Sequence, residues 1–410
     1  MVVEDRLEVF MNRIKYKRLK LLAFVCIIIL VIEVFYISYC LVYKNRESIY
    51  FAGTNALEFE NNSYVTVGSN NDNSMHYERA FVSKYNSKKQ KTFERLYNVG
   101  YNGAFFGVVI DGDNIVSVGS YEKTIDEHED SIRRALIVKY DKNGDIIFEK
   151  DFMQLDNSKF TSILKYNDDY IVTGQSIYKN THIGDKDGGA ILAKYSKDGD
   201  LLWSSSYGSS KEAIFNDCIV IDDNIYAVGT DENHRGIIVK FDLDGNYLDY
   251  NDYKTTDALG FSGIVNVDDS IYVSGSVKSG ENDTDAMIVE YNLDCRYINQ
   301  TIYANRGIER FNKLVVDNHN NLVAIGTIAS LNAKNKKTVG DYNYDGVLAK
   351  YDLGLNLIDS VVYDNEQDDF FTDIKSIDDN FLIVGYSSYD DGYMSKFISY
   401  SSAFKILEVG

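Results

Sequence analysis

The chain has no proline among its 410 residues, where ordinary usage would supply about twenty. That excludes proline-rich linkers and polyproline ligands within it. Cysteine is scarce as well: Cys26, Cys40, Cys218 and Cys295 are the four. A secreted domain stapled by disulfides needs more, so Cys218 and Cys295 read as two free thiols buried in a large core. Tryptophan is nearly absent, with Trp203 alone against 33 Tyr and 21 Phe. Basic charge is in deficit, 42 Lys and Arg against 62 Asp and Glu, for a net charge of −20. No basic surface can offset phosphate repulsion, which excludes nucleic acid as a partner. With 45% hydrophobic and 25% charged residues, the chain is neither disordered nor fibrous.

Long apolar runs are lacking with one exception. Residues 21–43, LLAFVCIIILVIEVFYISYCLVY, lie between Lys20 and Lys44 and are long enough to span the hydrocarbon of a bilayer. The preceding segment 1–20 carries Arg6, Arg13, Lys15, Lys17, Arg18 and Lys20 against Glu4, Asp5 and Glu8. The positive-inside rule keeps that segment in the cytoplasm and sends the rest across. The run exceeds an ordinary signal-peptide core and no small-x-small site follows, so it reads as an uncleaved signal anchor. Cys40 follows Tyr39, where a lipoprotein signal wants a small residue. Glu33 lies near mid-span, where a charged carboxyl costs a few kcal/mol. It is therefore protonated or paired, either as a contact with a membrane partner or as a tolerated neutral acid. The implied organisation is a cytoplasmic segment 1–20, an anchor 21–43, a linker 44–53 and an extracytoplasmic domain 54–410.

That domain is a repeat. A run ending in Gly recurs as YVTVGS (64–69), IVSVGS (115–120), YIVTGQS (170–176), IYAVGT (225–230), IYVSGS (271–276), LVAIGT (322–327) and FLIVGYS (381–387). Its glycines, 68, 119, 174, 229, 275, 326 and 385, recur about every 50 residues. A second motif follows each: a small residue, mostly apolar residues, then usually Lys and an aromatic, as in ALIVKY (135–140). Glu290 replaces the lysine once. Polar turns such as DKNG (141–144) come next, then a short apolar run. A Phe then opens the following unit, at 105, 160, 215, 261, 311 and 371. Four short strands per unit, tandemly repeated, are the pattern of an all-β chain folded as a seven-bladed β-propeller. In such a ring the small residue leaves room for a neighbouring aromatic, and the lysine is expected to carry its ammonium into water. The ring should close by packing of the first unit on the last.

Residues 188–230, GGAILAKYSKDGDLLWSSSYGSSKEAIFNDCIVIDDNIYAVGT, resemble the bacterial β-propeller repeat found in tandem in exported and cell-surface proteins. The resemblance covers roughly 54–410. It implies the fold and a cell-surface setting, and it implies no catalytic residues. The chain departs from the repeat in keeping only Trp203.

Candidate chemistry is sparse. Ala193 through Gly199 to Trp203 is similar to the docking motif of quinoprotein dehydrogenases, but vicinal cysteines are absent. SKDGDLLW (196–203) nearly matches a sialidase Asp-box, with its Gly one place early. DYNYDGVLAKYD offers Asp341, Asn343 and Asp345 at the spacing of a Ca²⁺ loop, although a strand from 346 would carry Asp352 away and leave a turn. His76, His128, His182 and His234 fall in equivalent loops of four successive units. No cofactor other than Ca²⁺ is suggested. The second-to-third connections vary widely, at 70–79, 121–134, 177–189, 231–235, 277–285, 328–345 and 388–391. The opposite turns are short, as at 112–114, 222–224 and 378–380. Variable loops on a rigid scaffold are where recognition concentrates. His128, His182, Lys334, Lys336 and Lys337 are therefore the candidate binding residues. Two functions fit: a non-catalytic module binding protein or glycan at the cell surface, or a lyase- or hydrolase-type enzyme using the central channel.

Overall fold

The computed structural model describes residues 51–409 except 61–62, 73–76, 125–130, 156, 177–187, 209–212, 254–257, 281–282, 305–306, 332–341, 365–366, 390–391 and 402–403. The expected anchor over 21–43, with Glu33, lies outside the described residues. Among the described residues, no helix is long and apolar enough to cross a membrane. Met1–Tyr50 and Phe51–Gly410 form separate units, and every described strand belongs to the second.

Its strands come in consecutive fours. The first quartet is β1 (Phe51–Glu60), β2 (Ser63–Asp72), β3 (Tyr77–Tyr85) and β4 (Lys91–Leu96). The second is β5 (Tyr101–Asp111), β6 (Asn114–Thr124), β7 (Ser131–Tyr140) and β8 (Ile146–Asp151). The third is β9 (Ser158–Tyr166), β10 (Asp169–Ser176), β11 (Gly189–Tyr195) and β12 (Leu201–Tyr207). The fourth is β13 (Ile214–Ile221), β14 (Asn224–Thr230), β15 (Gly236–Asp242) and β16 (Tyr247–Asp252). The fifth is β17 (Ala258–Val267), β18 (Ser270–Lys278), β19 (Thr284–Asn292) and β20 (Tyr297–Tyr303). The sixth is β21 (Gly307–Val316), β22 (Leu322–Leu331), β23 (Tyr342–Tyr351) and β24 (Leu357–Tyr363). The last is β25 (Asp368–Ile377), β26 (Asn380–Tyr389), β27 (Gly392–Ser401) and β28 (Ile406–Val409). Within each, neighbouring strands pair antiparallel in chain order.

The result is an all-β propeller, but its sheets are not the seven separate blades expected. Five are four-stranded, and β17–β24 form one eight-stranded sheet. The fusion has a local cause: Thr284 on β19 pairs with Ile308 on β21 in parallel, across a three-residue connection at 304–306. β1 takes in Phe51–Gly53, the end of the stretch read as linker, and pairs with β2 throughout. It packs on β25, β26 and β27, sharing no sheet with them.

The repeat glycine has a geometric origin. Every first strand carries a bulge: the register skips Asn55, Phe106, Thr161, Asn216, Ser262, Asn312 and Thr372. The bulge drives the preceding carbonyls against the second strand. A Cβ on Gly229 would stand 1.8 Å from the Ile214 oxygen, and one on Gly385 would stand 1.9 Å from that of Phe370. Only glycine fits. The small residue opening each third strand serves the seam, since a Cβ on Gly346 would meet the Phe371 ring of the next quartet at 2.6 Å.

Buried side chains cluster between adjacent quartets. Val65, Val67, Ala80 and Val82 pack on Phe105, Leu136 and Tyr140, and Leu57 packs on Leu382 and Val384 where the ring closes. Inside the quartets, Phe105–Tyr140, Phe160–Tyr195, Phe215–Phe241, Phe261–Tyr291 and Phe311–Tyr351 meet edge to face. Such ring burial on both sheet faces contributes roughly 1.5–3 kcal/mol per ring. Two of the motif lysines, Lys139 and Lys350, do not reach bulk water as expected, while Lys84, Lys194 and Lys240 are half-buried. Lys139 is buried and bonds Asp111 at 2.8 Å, Tyr170 at 2.9 Å and the Lys197 carbonyl at 3.2 Å. Lys350 is likewise buried, 3.3 Å from Asp317. Burial alone would raise the Asp111 carboxyl, but hydrogen bonds from Lys139, Lys165 and Tyr170 outweigh it and hold it well below the usual carboxylate range.

Candidate functional site

All seven first strands line one central cavity of about 560 Å³. The bulges set what faces it. The skipped residue turns out of its own ladder and reaches the next quartet's backbone. Asn55 Nδ2 donates to the Phe105 carbonyl at 2.9 Å, and Thr161 Oγ1 to that of Phe215 at 2.5 Å. Asn216 and Asn312 donate to Phe261 and Phe371 at 2.7 Å each, and Thr372 donates to Thr54 at 2.7 Å. Five seams are thus tied at the channel, one of them the closure between last and first quartets. Each bond is worth about 1 kcal/mol net.

On three first strands the next residue along is charged: Asp217, Lys313 and Asp373. Lys313 Nζ meets Asp217 Oδ2 at 2.7 Å, and Ser162 Oγ donates to Asp217 Oδ1 at 2.9 Å. This joins the third, fourth and sixth quartets. Gly263 lets β17 and β21 approach closely, since a Cβ there would stand 3.1 Å from the Lys313 Cα. At the closure, Asp373 accepts from the Leu57 amide at 2.8 Å, and Lys375 pairs with Glu58 at 3.0 Å. Burial would lower the Lys313 ammonium, but Asp217 and Asp373 outweigh it and hold it charged, above the usual lysine range. Burial acts on Lys375 in the same direction and is outweighed by Glu58 and Asp373. Each of these charges has an internal partner. The arrangement locks the ring and presents mixed charge to the cavity.

His128, His182, Lys334, Lys336, Lys337 and Asp341 lie outside the described residues, as does His76. His234 sits exposed in the 231–235 turn with φ of 62°. Asn343 and Asp345 lie on β23, which begins at Tyr342 where a turn was expected. Asp345 is buried, opposite Ile328. Burial, then Asp364, Asp369 and Asp368, push its carboxyl up to about 7. Between the fifth and sixth quartets, Asp283, Asp285 and the fully buried Glu309 bring one carboxylate oxygen each within 4.8 Å of the others. Oxygen sets of that kind are those a hard cation takes.

Sequence reasoning missed the channel residues Asp217, Lys313, Asp373, Lys375 and Glu58. A signal existed, because residues 217, 313 and 373 each stand two places after a repeat Phe. The bulge that turns that place into the channel is not visible in hydrophobic alternation.

No protein-family model matches the chain, and neither does any curated protein. Solved structures similar to it are β-propeller proteins of low identity. The β-propeller domain of the Trilobed protease from Pyrococcus furiosus is 10% identical, with a TM-score of 0.47 over 88% of this chain and 95% of that one. A putative 6-phosphogluconolactonase from Bacteroides fragilis is 9% identical, with a TM-score of 0.49 over 86% and 95%. Pyrococcus horikoshii acylaminoacyl peptidase is 11% identical, with a TM-score of 0.47 over 87% of this chain; the chain spans 52% of that protein's length. These similarities concern the propeller fold alone.

Proposed function

We propose that the chain is a membrane-anchored, extracytoplasmic propeller of seven blades that acts as a non-catalytic binding module for protein or glycan. One observation carries the reading: length variation is confined to one side of every sheet. The second-to-third connections run 73–76, 125–130, 177–188, 231–235, 279–283, 332–341 and 390–391. The third-to-fourth turns stay at four or five residues, and six of the seven first-to-second turns have two. A scaffold that holds one set of turns uniform while the other varies is built for recognition at the varied side. His128, His182, Lys334, Lys336 and Lys337 are assigned to that side, and a Ca²⁺ held by Asp341, Asn343 and Asp345 would rigidify it once the buried Asp345 gives up its proton. The seven-blade count is supported by the single bridge that joins β17–β20 to β21–β24, and by buried clusters at each seam. The anchor is supported by the apolar run 21–43 and its basic flank.

Shortening the connections 125–130, 177–188 and 332–341 to two residues each, the length of 390–391, should abolish capture of the loop-face partner on intact cells and leave the melting temperature within about 3 °C. Capture that survives this, and is lost when the opposite turns are altered, refutes the assignment. Protease added to intact cells should digest 44–410 and spare the N-terminal segment; a protected propeller refutes the orientation. A second reading, an enzyme of lyase or hydrolase type, is favoured by the charged channel. It requires Lys313 or Asp217 to leave its partner for a substrate, and it fails if Lys313→Met leaves every ligand response unchanged.

A further inference from the structure

Five quartets place a polar residue at one register position of the fourth strand: Glu94, Glu149, Ser204, Gln300 and Ser360. The fourth quartet places Tyr250 there, opposite Val239. At the neighbouring seam the polar residue has a job, since the Tyr253 hydroxyl donates to Gln300. Tyr207 stands eight residues before Phe215, as Tyr253 stands before Phe261, and it meets an aromatic ring where Tyr253 meets an amide. A register shift between Lys240 and Phe241 leaves Leu248 as an extra residue and brings Tyr247 to the same side as Tyr250. The three rings gather: Tyr207–Tyr247 at 6.3 Å and 23°, Tyr207–Tyr250 at 6.1 Å, and Tyr247–Tyr250 at 6.2 Å. Tyr247 and Tyr250 are 49% and 48% exposed.

The cluster is held and bordered by polar groups. Trp203 Nε1 donates to the Leu243 carbonyl at 3.0 Å and Ser205 Oγ to that of Gly245 at 2.6 Å. The turn that carries Tyr247 is thereby fastened to β12, which carries Tyr207. Arg235 is fixed by Asp231, at 2.8 Å through Nε and 2.6 Å through its terminal nitrogen, and it also pairs with Asp252. Burial, together with Tyr247, Tyr250, Asp231 and Asp252, pushes the Tyr207 phenol up, so its hydroxyl stays a donor.

We propose that Tyr207, Tyr247 and Tyr250, bordered by Arg235, Asp231 and Asp252, form a binding platform for a neutral, pyranose-containing glycan. This rests on the binding-module reading and adds to it a second site, apart from the varied loops. The apolar C–H face of a pyranose carries slight positive charge and stacks on the negative face of a phenol ring. Its rim of hydroxyls needs donors and acceptors together, which the Arg235 fork and the part-exposed Asp252 carboxylate supply, with the buried Asp231 holding Arg235 in place. The platform is rigid before binding, which reduces the ordering cost. The two carboxylates and the chain's net charge of −20 disfavour an anionic glycan, an anionic lipid surface and a second copy of the chain alike.

The test is affinity electrophoresis of the full chain, in a detergent without sugar headgroups, through gels holding dextran, laminarin, galactomannan or hydroxyethyl cellulose, with hyaluronan as the anionic control. At least one neutral polysaccharide should retard the chain, and hyaluronan should not. Tyr247→Ala with Tyr250→Gln should weaken that binding at least tenfold while the melting temperature stays within about 2 °C. The glutamine is what the fifth quartet already carries, so the variant has a seam known to this fold. Loss should not follow from shortening the connections 125–130, 177–188 and 332–341, which separates failure of the platform from failure of the loop-face reading. The proposal is overturned if no neutral polysaccharide retards the chain, if hyaluronan alone does, if binding survives the double variant, or if that variant instead turns an oligomer into a monomer.

Discussion

Replacing Gly326 with alanine should cost more than any other single methyl added to this fold. The new Cβ would stand 1.7 Å from the Arg310 carbonyl oxygen, 2.7 Å from its carbon and 2.9 Å from the Phe311 Cα. An ordinary C···O approach is about 3.3 Å, so β21 and β22 must part by more than an ångström. Nothing soft can yield, because all three atoms are backbone and Phe311 is fully buried behind them. Overpacking costs about 1–3 kcal/mol where side chains can move, and backbone contact puts this case at about 3 kcal/mol. With an unfolding entropy of about 2.1 cal/mol/K per residue over the unit Phe51–Gly410, each kcal/mol is worth about 1.3 °C, and the melting temperature should fall about 4 °C. Thermal unfolding followed by far-ultraviolet circular dichroism and by Trp203 fluorescence reads it directly. Gly112→Ala is the control, with nothing within 4 Å and φ of +65°; it carries only the left-handed penalty of about 1–2 kcal/mol. Gly275→Ala should fall between them, since its Cβ meets the Gly260 oxygen at 2.3 Å and Gly260 is itself free to adjust. The reasoning fails if Gly326→Ala melts within 2 °C of the parent, or if Gly112→Ala is the worse of the two.

Three other outcomes follow from buried polar groups. The Tyr195 hydroxyl is buried without a hydrogen-bond partner among the described residues, and Phe241 holds the same place in the fourth quartet. Tyr195→Phe should therefore stabilise the fold by about 1 kcal/mol in urea titration, and a loss of that size would reveal a hidden partner. Asp345, with its carboxyl pushed up to about 7, keeps its proton in the folded chain while the unfolded chain releases it near 4. Stability should thus fall as pH rises from about 4 to about 7 and level off above; Asp345→Asn should gain stability at pH 8 and none at pH 4, and an equal gain at both contradicts the assignment. Lys313→Met strands the Asp217 carboxylate, whose side chain is 8% exposed, and should cost about 3 kcal/mol. Adding Asp217→Asn should recover part of that loss; a single variant costing under about 0.5 kcal/mol would show that the pair bears little on stability.

The repeat was legible because its causes are local. Gly229, Phe215 and the apolar run of β14 recur with the period of the unit, and a four-strand unit that cannot bury its faces alone must stack on copies of itself. The run 21–43 with its basic flank likewise carried the anchor reading without any fold. Other features depend on contacts between distant units. Thr284 bridging Ile308 merges two quartets into one sheet, and no pattern within either quartet encodes it. Lys313 finds Asp217 from 96 residues away, because a bulge turns both residues inward and Gly263 lets β17 and β21 approach closely. Tyr207, Tyr247 and Tyr250 meet only because one register shift places two of them on one side and a seam supplies the third. The sequence by itself determined the unit, its number of strands and its stacking, since these follow from period and burial. Tertiary structure alone decided which polar residues face one another, since bulges and seams set direction and a linear pattern carries only spacing.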